Sequence, residues 1–301
     1  MRVAITGATG RIGTRLVAAL KGRGDDVTVL SRSPEKARAS LGVEAHAWQP
    51  ESAPAPAAAL AGRDAVVHLA GEDVAQRWTD ATKRRLLASR ELGTRNLVEG
   101  MRATEPRPGL LVSASAVGFY GPRGDELVTE EDPPGDDFLA GVCAAWEREA
   151  AAAERPGARV VRVRTGVVLD KGGGALAKML PFFRLGIGGP VAGGRQYLPW
   201  IHVDDLVGVH LAALDGDGWS GAVNATAPDP ATNKEFSRAL GRALHRPALA
   251  PVPGFAIRVL YGEMATIVVT GQRAVPARTQ ALGYRFEHLE IGAALDSALH
   301  T

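Results

Sequence analysis

Gly7-Ala8-Thr9-Gly10-Arg11-Ile12-Gly13 decides the fold. The stretch follows a short apolar run, residues 3–6, and opens a segment, 12–20, in which Ile12, Leu16, Ala19 and Leu20 recur at helical spacing. Glycines spaced this way between a strand and a helix form the phosphate loop of a Rossmann unit. Gly7 permits the tight turn, Gly10 lets the backbone approach a pyrophosphate, and Gly13 lets helix pack closely on strand. Unpaired amides at the helix start, with the helix dipole, then hold the phosphates, so Thr9, Arg11 and Ile12 join the glycines as cofactor contacts.

Outward from the loop, short apolar runs at 27–30, 65–69, 110–113 and 159–164 read as parallel strands covered on both faces. Helical patterns at 84–101 and 138–154 lie between them, the second closing at Pro156-Gly157. This alternation predicts an α/β fold with a doubly wound parallel sheet. Residues 49–61, rich in Ala and Pro, read as a surface excursion; the glycine-rich 172–194 surrounds a helix candidate at 176–183 and borders a ligand cleft. Farther on, helices at 203–214 and 234–244 flank a strand at 222–225, and a mostly helical tail carries segments at 255–261 and 291–299. The expected organisation is a dinucleotide-binding domain over 1–170, its core extending into 200–225, interleaved with a mostly substrate-side region over 171–301.

The choice of dinucleotide follows from the end of the second strand. An NAD site places an acid there to bind the ribose 2′-hydroxyl. Asp25 and Asp26 precede the strand and so stand at its wrong end, whereas Ser31, Arg32 and Ser33 follow it. A carboxylate repels a 2′-phosphate; a guanidinium with neighbouring hydroxyls attracts it. The expected cofactor is NADP(H).

Composition bounds the rest. With 35 basic and 33 acidic residues the net charge is +2, which gives no global field for nucleic acid or an anionic membrane, although a local basic patch can still grip a phosphate. One cysteine, Cys143, excludes an internal disulfide framework and fits a reducing compartment. No apolar run is long enough to span a membrane, and the first residues lack the pattern of a secretion signal. The expectation is a cytoplasmic protein acting on a small molecule, without nucleic-acid or membrane partners and with a homodimer open. No His or Cys spacing signals a metal.

Several blocks resemble the extended short-chain dehydrogenase/reductase superfamily: the glycine loop, His68-Leu69-Ala70-Gly71-Glu72, Gly93-Thr94-Arg95-Asn96-Leu97, the run from Ser113 to Gly121, and Trp200-Ile201-His202-Val203-Asp204-Asp205-Leu206. Others resemble one atypical branch, a nucleotide-sugar-epimerase-like family of bacterial and mitochondrial proteins. These are Leu69-Ala70-Gly71-Glu72 followed by Trp78, Arg164-Thr165-Gly166-Val167-Val168-Leu169, Gly172-Gly173-Gly174-Ala175, Pro199-Trp200-Ile201-His202, and Gly271-Gln272-Arg273-Ala274-Val275-Pro276. The resemblance covers essentially the whole chain. It implies cofactor contacts at Ser31, Arg32, Leu69, Ala70, Arg90 and near Val168, with Gly71 and Glu72 continuing the same strand end.

The superfamily's chemistry uses a Tyr, a Lys four residues later and a Ser or Thr after the fifth strand. The Lys and the oxidised cofactor lower the phenol pKa by roughly 3 units, about 4 kcal/mol, so that it moves a proton as hydride passes. Here the resemblance sets Leu139 at the Tyr position, Cys143 at the Lys position and Ala116 at the Ser position, with Ser115 beside it. Tyr120 and Ser115 are the catalytic candidates that remain, with Glu72 and His202 behind them; Tyr120 is expected to face the nicotinamide side of the cleft. Two functions follow: an NADP(H)-dependent oxidoreductase or epimerase-like protein with a substituted triad, or a non-catalytic NADP(H)-binding sensor.

Overall fold

Alternation within the strands builds the molecule. In the first strand Val3 and Ile5 face one side and Ala4 the other, and all three are buried, as in a sheet covered on both faces. The computed structural model describes residues 1–155 and 157–300. The first half runs β1 (Arg2–Thr6), α1 (Arg11–Gly22), β2 (Asp26–Ser31), α2 (Pro34–Leu41), β3 (Glu44–Ala47), α3 (Ala57–Leu60), β4 (Ala65–His68), α4 (Asp80–Arg102) and β5 (Leu110–Ala116). There follow β6 (Leu127–Val128), α5 (Phe138–Ala151), β7 (Arg159–Thr165), β8 (Val167–Leu169), α6 (Gly174–Arg184), β9 (Tyr197–Leu198), β10 (Trp200–His202), α7 (Val203–Asp215) and β11 (Gly221–Ala225). The tail comprises β12 (Ala231–Thr232), α8 (Asn233–Ala243), α9 (Gly254–Tyr261), α10 (Ala265–Val269), β13 (Arg273–Ala274), α11 (Ala277–Ala281) and α12 (Ile291–His300).

Seven strands form one parallel sheet in the order β11-β7-β5-β4-β1-β2-β3. This is the doubly wound α/β arrangement, with strand order reversing between β1 and β4. On one face Leu16 and Leu20 of α1 and Leu206 and Val209 of α7 meet Val3, Ile5 and Val29; on the other Leu97 and Met101 of α4 meet Ala4, Val66 and Leu111. A separate core gathers α6, α8 and α12 around Trp200 and Phe236.

Residues 49–61 run over the surface as expected, most of them exposed, but three of them anchor the segment: Ala55, Ala59 and Leu60 are buried, and Ala55 presses so closely on α4 that a Cβ at Gly100 would lie 2.8 Å from its own. Strand β3 carries Glu-Ala-His-Ala and no apolar run; as an edge strand it buries only Ala45, which hides it from pattern reading. Helix α4 also begins earlier than its apolar pattern, where the Thr79 side chain accepts the Thr82 amide at 3.2 Å.

Candidate functional site

The glycine loop closes onto the end of β4. Gly7 has φ +69, and a Cβ there would sit 2.7 Å from the Leu69 carbonyl carbon; one at Gly13 would sit 2.6 Å from Ala8 Cα. Gly10 differs. A Cβ at Gly10 would meet only the Gly7 carbonyl, at 3.1 Å, so it would otherwise fill open ground in front of α1. That helix start has no side-chain cap and no acid in its first turn. Its amides at Arg11, Ile12 and Gly13 lack intrahelical acceptors, and the dipole favours an anion. The cradle fits a diphosphate. Thr9 and Arg11 are exposed beside it and Ile12 is half-buried; the Arg11 guanidinium lies over Gly172 and Gly173, 3.9 Å from Asp170.

At the carboxyl end of β2, Ser31 is half-buried and accepts the Ser33 amide at 3.1 Å, while Arg32 is exposed and makes no ion pair among the described residues. Asp26 stands at the opposite end of the strand and accepts from Arg63 at 2.8 Å. Ser31, Arg32 and Ser33 thus stand where an NAD site has its acid, and the next carboxylate along the chain, Glu35, pairs with Arg38 at 3.7 Å.

The end of β4 is fixed by His68, whose ring nitrogens lie 2.7 Å from Thr6 Oγ1 and 3.1 Å from Thr94 Oγ1. Burial lowers its pKa to about 4. Leu69 and Ala70 follow, half-buried, and the Ala70 amide donates to Thr6 Oγ1 at 3.3 Å. Bare Gly71 leaves room for Arg90, since a Cβ would lie 3.4 Å from its Cζ. Arg90 is buried, donates to the carbonyls of Glu72 (3.0 Å) and Leu86 (3.3 Å), and lies 5.0 Å from the Trp146 ring centroid. It makes no ion pair among the described residues. A buried guanidinium held only by neutral acceptors is a ready partner for an anionic group. The Glu72 carboxylate turns outward to Gln76 (3.2 Å) and Arg85 (3.6 Å). Val168, in β8, packs against the same core as Ile12 and Leu69.

Beyond the carboxyl ends of β5 and β7 lies a cavity of about 240 Å³, lined among others by Arg90, Ala116, Leu139, Cys143, Trp146, Thr165, Tyr197 and Gln272. Ligands of open α/β sheets bind at this edge. Leu139 and Cys143, one turn apart on α5, both face it, and Ala116 closes the end of β5 beside them. Burial pushes the Cys143 thiol up to about 12.

The placement of Tyr120 and Ser115 is corrected. Neither lines the cavity. The Tyr120 side chain is fully buried; its hydroxyl donates to Asn224 Oδ1 at 2.7 Å and accepts from Arg164 at 2.9 Å. Burial raises its pKa to about 12 against the pull of Arg164. Ser115 donates to Glu147 Oε1 at 2.7 Å, and Glu147 in turn binds Arg164. The backbone turn after Ala116 sends Tyr120 beneath the sheet edge toward β11 rather than toward the cleft.

His202 caps α7, its Nδ1 accepting the Asp204 amide at 3.2 Å, and stacks on His288 with centroids 3.6 Å apart. These two rings and Asp204 bring potential ligand atoms within 4.8 Å of one another, a grouping that sequence spacing could not reveal. The cap already uses the His202 lone pair, and the Asp204 carboxylate faces Arg15 at 3.5 Å. Residues missed as site candidates are Trp146 and Gln272, the latter anchored to the Val117 carbonyl at 2.8 Å; only the Gly271–Pro276 block gave a signal for it.

Residues 3–224 match the NAD dependent epimerase/dehydratase family, and residues 252–298 match a domain of unknown function, DUF1731. The chain is 40% identical over 306 residues to the chloroplastic epimerase family protein SDR39U1 homolog of Arabidopsis thaliana, covering 98% of this chain and 86% of that one. It is 39% identical over 302 residues to the Homo sapiens epimerase family protein SDR39U1, covering 98% of each. The crystal structure of human SDR39U1 isoform 2 with NADPH superposes with a TM-score of 0.89 at 37% identity, covering 100% of this chain and 99% of that one. No helix among the described residues is long and apolar enough to cross a membrane.

Proposed function

The chain belongs to the NAD dependent epimerase/dehydratase family, and from that premise we propose that it is an NADP(H)-dependent oxidoreductase or epimerase-like protein acting on a small molecule. One observation carries the reading. The uncapped start of α1, the unpaired Arg90 and the 240 Å³ cavity follow one another along the carboxyl edge of the sheet. Gly7, Thr9, Gly10, Arg11, Ile12 and Gly13 would hold the diphosphate, Ser31 and Arg32 the 2′-phosphate, and Leu69, Ala70, Gly71, Glu72, Arg90 and Val168 would line the rest of the dinucleotide's path. The NADPH bound by the human relative supports the same choice of cofactor.

NADP(H), when bound, supplies or accepts hydride. What this chain adds is alignment and exclusion of water, since hydride transfer needs little beyond aligned carbons. On the family resemblance, Ala116, Leu139 and Cys143 take the positions of the superfamily's Ser, Tyr and Lys, and a thiol with its pKa at about 12 holds its proton at neutral pH. Tyr120 and Ser115 act as positioning residues that fix β5 against α5 and β11. Tyr197 borders the cavity with the Arg273 guanidinium 5.1 Å from its ring centroid, and is the phenol we assign to proton exchange. Incubating the protein with NADPH and a panel of small carbonyl compounds tests this: substrate-dependent loss of NADPH absorbance is expected, and weaker in Tyr197→Phe.

A second reading is a non-catalytic NADP(H) sensor, favoured by the absence of any proton-transferring group at Leu139 and Cys143. A cofactor-saturated protein that stays inert to the panel, yet changes its partner binding between the oxidised and reduced cofactor, would establish that reading instead.

A further inference from the structure

The near-neutral overall charge conceals a segregation. Although 33 acids are spread over 301 residues, none occurs in residues 171–203 or in residues 236–262. The first stretch carries Lys171, Lys178, Arg184 and Arg195, the second Arg238, Arg242, Arg246 and Arg258. The fold packs the two stretches together: Val191 bridges Val252, the Ala192 amide donates to the Val252 carbonyl at 2.9 Å, and Arg246 Nε donates to the Arg184 carbonyl at 3.2 Å. Of the bordering acids, Asp73 pairs with Lys178 at 3.5 Å and Glu263 with Lys83, while Glu235, near Arg238, serves the α8 capping box and Glu290, near Arg242, holds the amides of Gly292 and Ala293.

On this acid-free surface stand Phe182, Leu185, Ile187, Leu249, Phe255 and Val259, each more than half exposed. Helix α9 buries none of its residues. Leu185 at 74% projects from the turn after α6, and Leu249 at 79% from the segment after α8, at the rim of a shallow cleft. Beside Leu249 an open cleft is walled by Arg238, Arg242, His245 and Arg246. Soluble proteins rarely leave so many large apolar side chains together in water.

We propose that this face, formed by the end of α6, the segment after α8 and helix α9, docks on an anionic lipid surface. Projecting apolar side chains enter the acyl boundary while the arginines around them meet headgroup phosphates, the combination that holds interfacial proteins on membranes. A second copy fits less well, because a two-fold contact would set Arg184, Arg242 and Arg258 among like charges with no acid in either stretch to answer them. A protein partner needs a surface with shape complementarity, whereas side chains three-quarters exposed suit a fluid phase.

Sedimentation of the full chain with phosphatidylcholine vesicles, with and without phosphatidylglycerol, tests the proposal. Binding is expected only with the anionic lipid and should weaken with added salt. Leu185→Ser with Leu249→Ser, and separately Arg184→Glu with Arg242→Glu and Arg258→Glu, should each lower the bound fraction about tenfold or more, with far-UV circular dichroism and the unfolding midpoint unchanged. Failure of the wild type to sediment with anionic vesicles, or equal binding by either folded variant, overturns the proposal. So does a solution dimer that Leu185→Ser with Leu249→Ser dissociates, or retention on poly-L-glutamate without vesicle binding, which would assign the face to a second copy or to an acidic protein.

Discussion

Arg164 and Glu147 face each other in a two-pronged ion pair, Nε to Oε1 at 2.8 Å and Nη2 to Oε2 at 2.9 Å, with both side chains at most 5% exposed. The pair ties β7 to α5. Ser115 adds β5 to it and the Tyr120 hydroxyl extends it to Asn224 of β11, so one polar network spans the sheet edge beneath the cavity. Removing one partner leaves the other charge buried and unanswered, which costs about 3–5 kcal/mol. Glu147→Leu is therefore expected to lower the unfolding free energy by that amount in urea titration. Pairing it with Arg164→Met should recover most of the loss, and a single variant as stable as the wild type would show that the pair contributes little.

Gly10 and Gly13 should separate binding from stability. A methyl at Gly13 collides with Ala8, an overpacking that costs about 1–3 kcal/mol. A methyl at Gly10 meets one carbonyl oxygen at 3.1 Å and otherwise fills the ground where a diphosphate would lie. Gly10→Ala is expected to unfold close to the wild type yet bind NADPH about tenfold to a hundredfold more weakly, through loss of charge-assisted amide bonds of about 1.5–3 kcal/mol. Fluorescence titration with NADPH reads the affinity. Unimpaired binding by Gly10→Ala would place the diphosphate elsewhere.

On the proposed reading, Arg32 carries the choice between cofactors. Exposed and free of any ion pair among the described residues, it can turn to a 2′-phosphate without giving up another contact. Arg32→Asp should weaken NADPH binding by about 1.5–3 kcal/mol, the worth of hydrogen bonds to a charged group, and leave NADH binding equal or stronger because the new acid suits a 2′-hydroxyl. Paired titrations with NADPH and NADH measure this. A preference that survives the substitution would remove Arg32 from the argument.

The sheet and the glycine loop after its first strand were legible because both write themselves locally. Val3 to Ile5 is an apolar run, and Gly7 and Gly13, with Gly10 between them, mark close backbone approaches that no side chain could share. The position of Arg32 was legible for the same reason, since strand direction alone decides which end of β2 it follows. What failed was direction in space. Tyr120 follows β5 in sequence, as a cleft residue should, but the turn after Ala116 sends it to Asn224, 104 residues onward. Residues 49–61 look like a loop by composition, and nothing in that composition shows that Ala55 is anchored on bare Gly100 of α4. The cavity wall from Tyr197 to Gln272 is assembled from distant segments, and only residue blocks shared with the family hinted at it.

Cys143 is expected to be inert. Burial holds its pKa at about 12, so almost no thiolate exists at pH 8. Alkylation by iodoacetamide should be slow in the native protein and fast in urea. Because the folded value lies above that of the unfolded thiol, the stability associated with this proton is complete below pH ~9 and is lost as pH rises toward about 12. Rapid native labelling at pH 8 would mean that the thiol is open to the cavity and ionised.

His68 should set the acid limit of the cofactor loop. Its imidazole is sealed between Thr6 and Thr94, where burial and then the nearby Arg90 lower its pKa from 6.5 to about 4. A charged ring has no carboxylate to meet there, so the fold holds it neutral. The unfolded chain takes up the proton first. Stability gained from the neutral ring is present above pH ~6.5 and falls as pH drops toward 4, by about 1.4 kcal/mol per unit and about 3 kcal/mol in all. His68→Gln can occupy the same site without titrating. The gap in unfolding free energy between wild type and variant should shrink by that amount from pH 7 to pH 4, because other groups titrate equally in both. A gap independent of pH would mean that His68 is solvated, and that the seam between β1, β4 and α4 opens more readily than its hydrogen bonds imply.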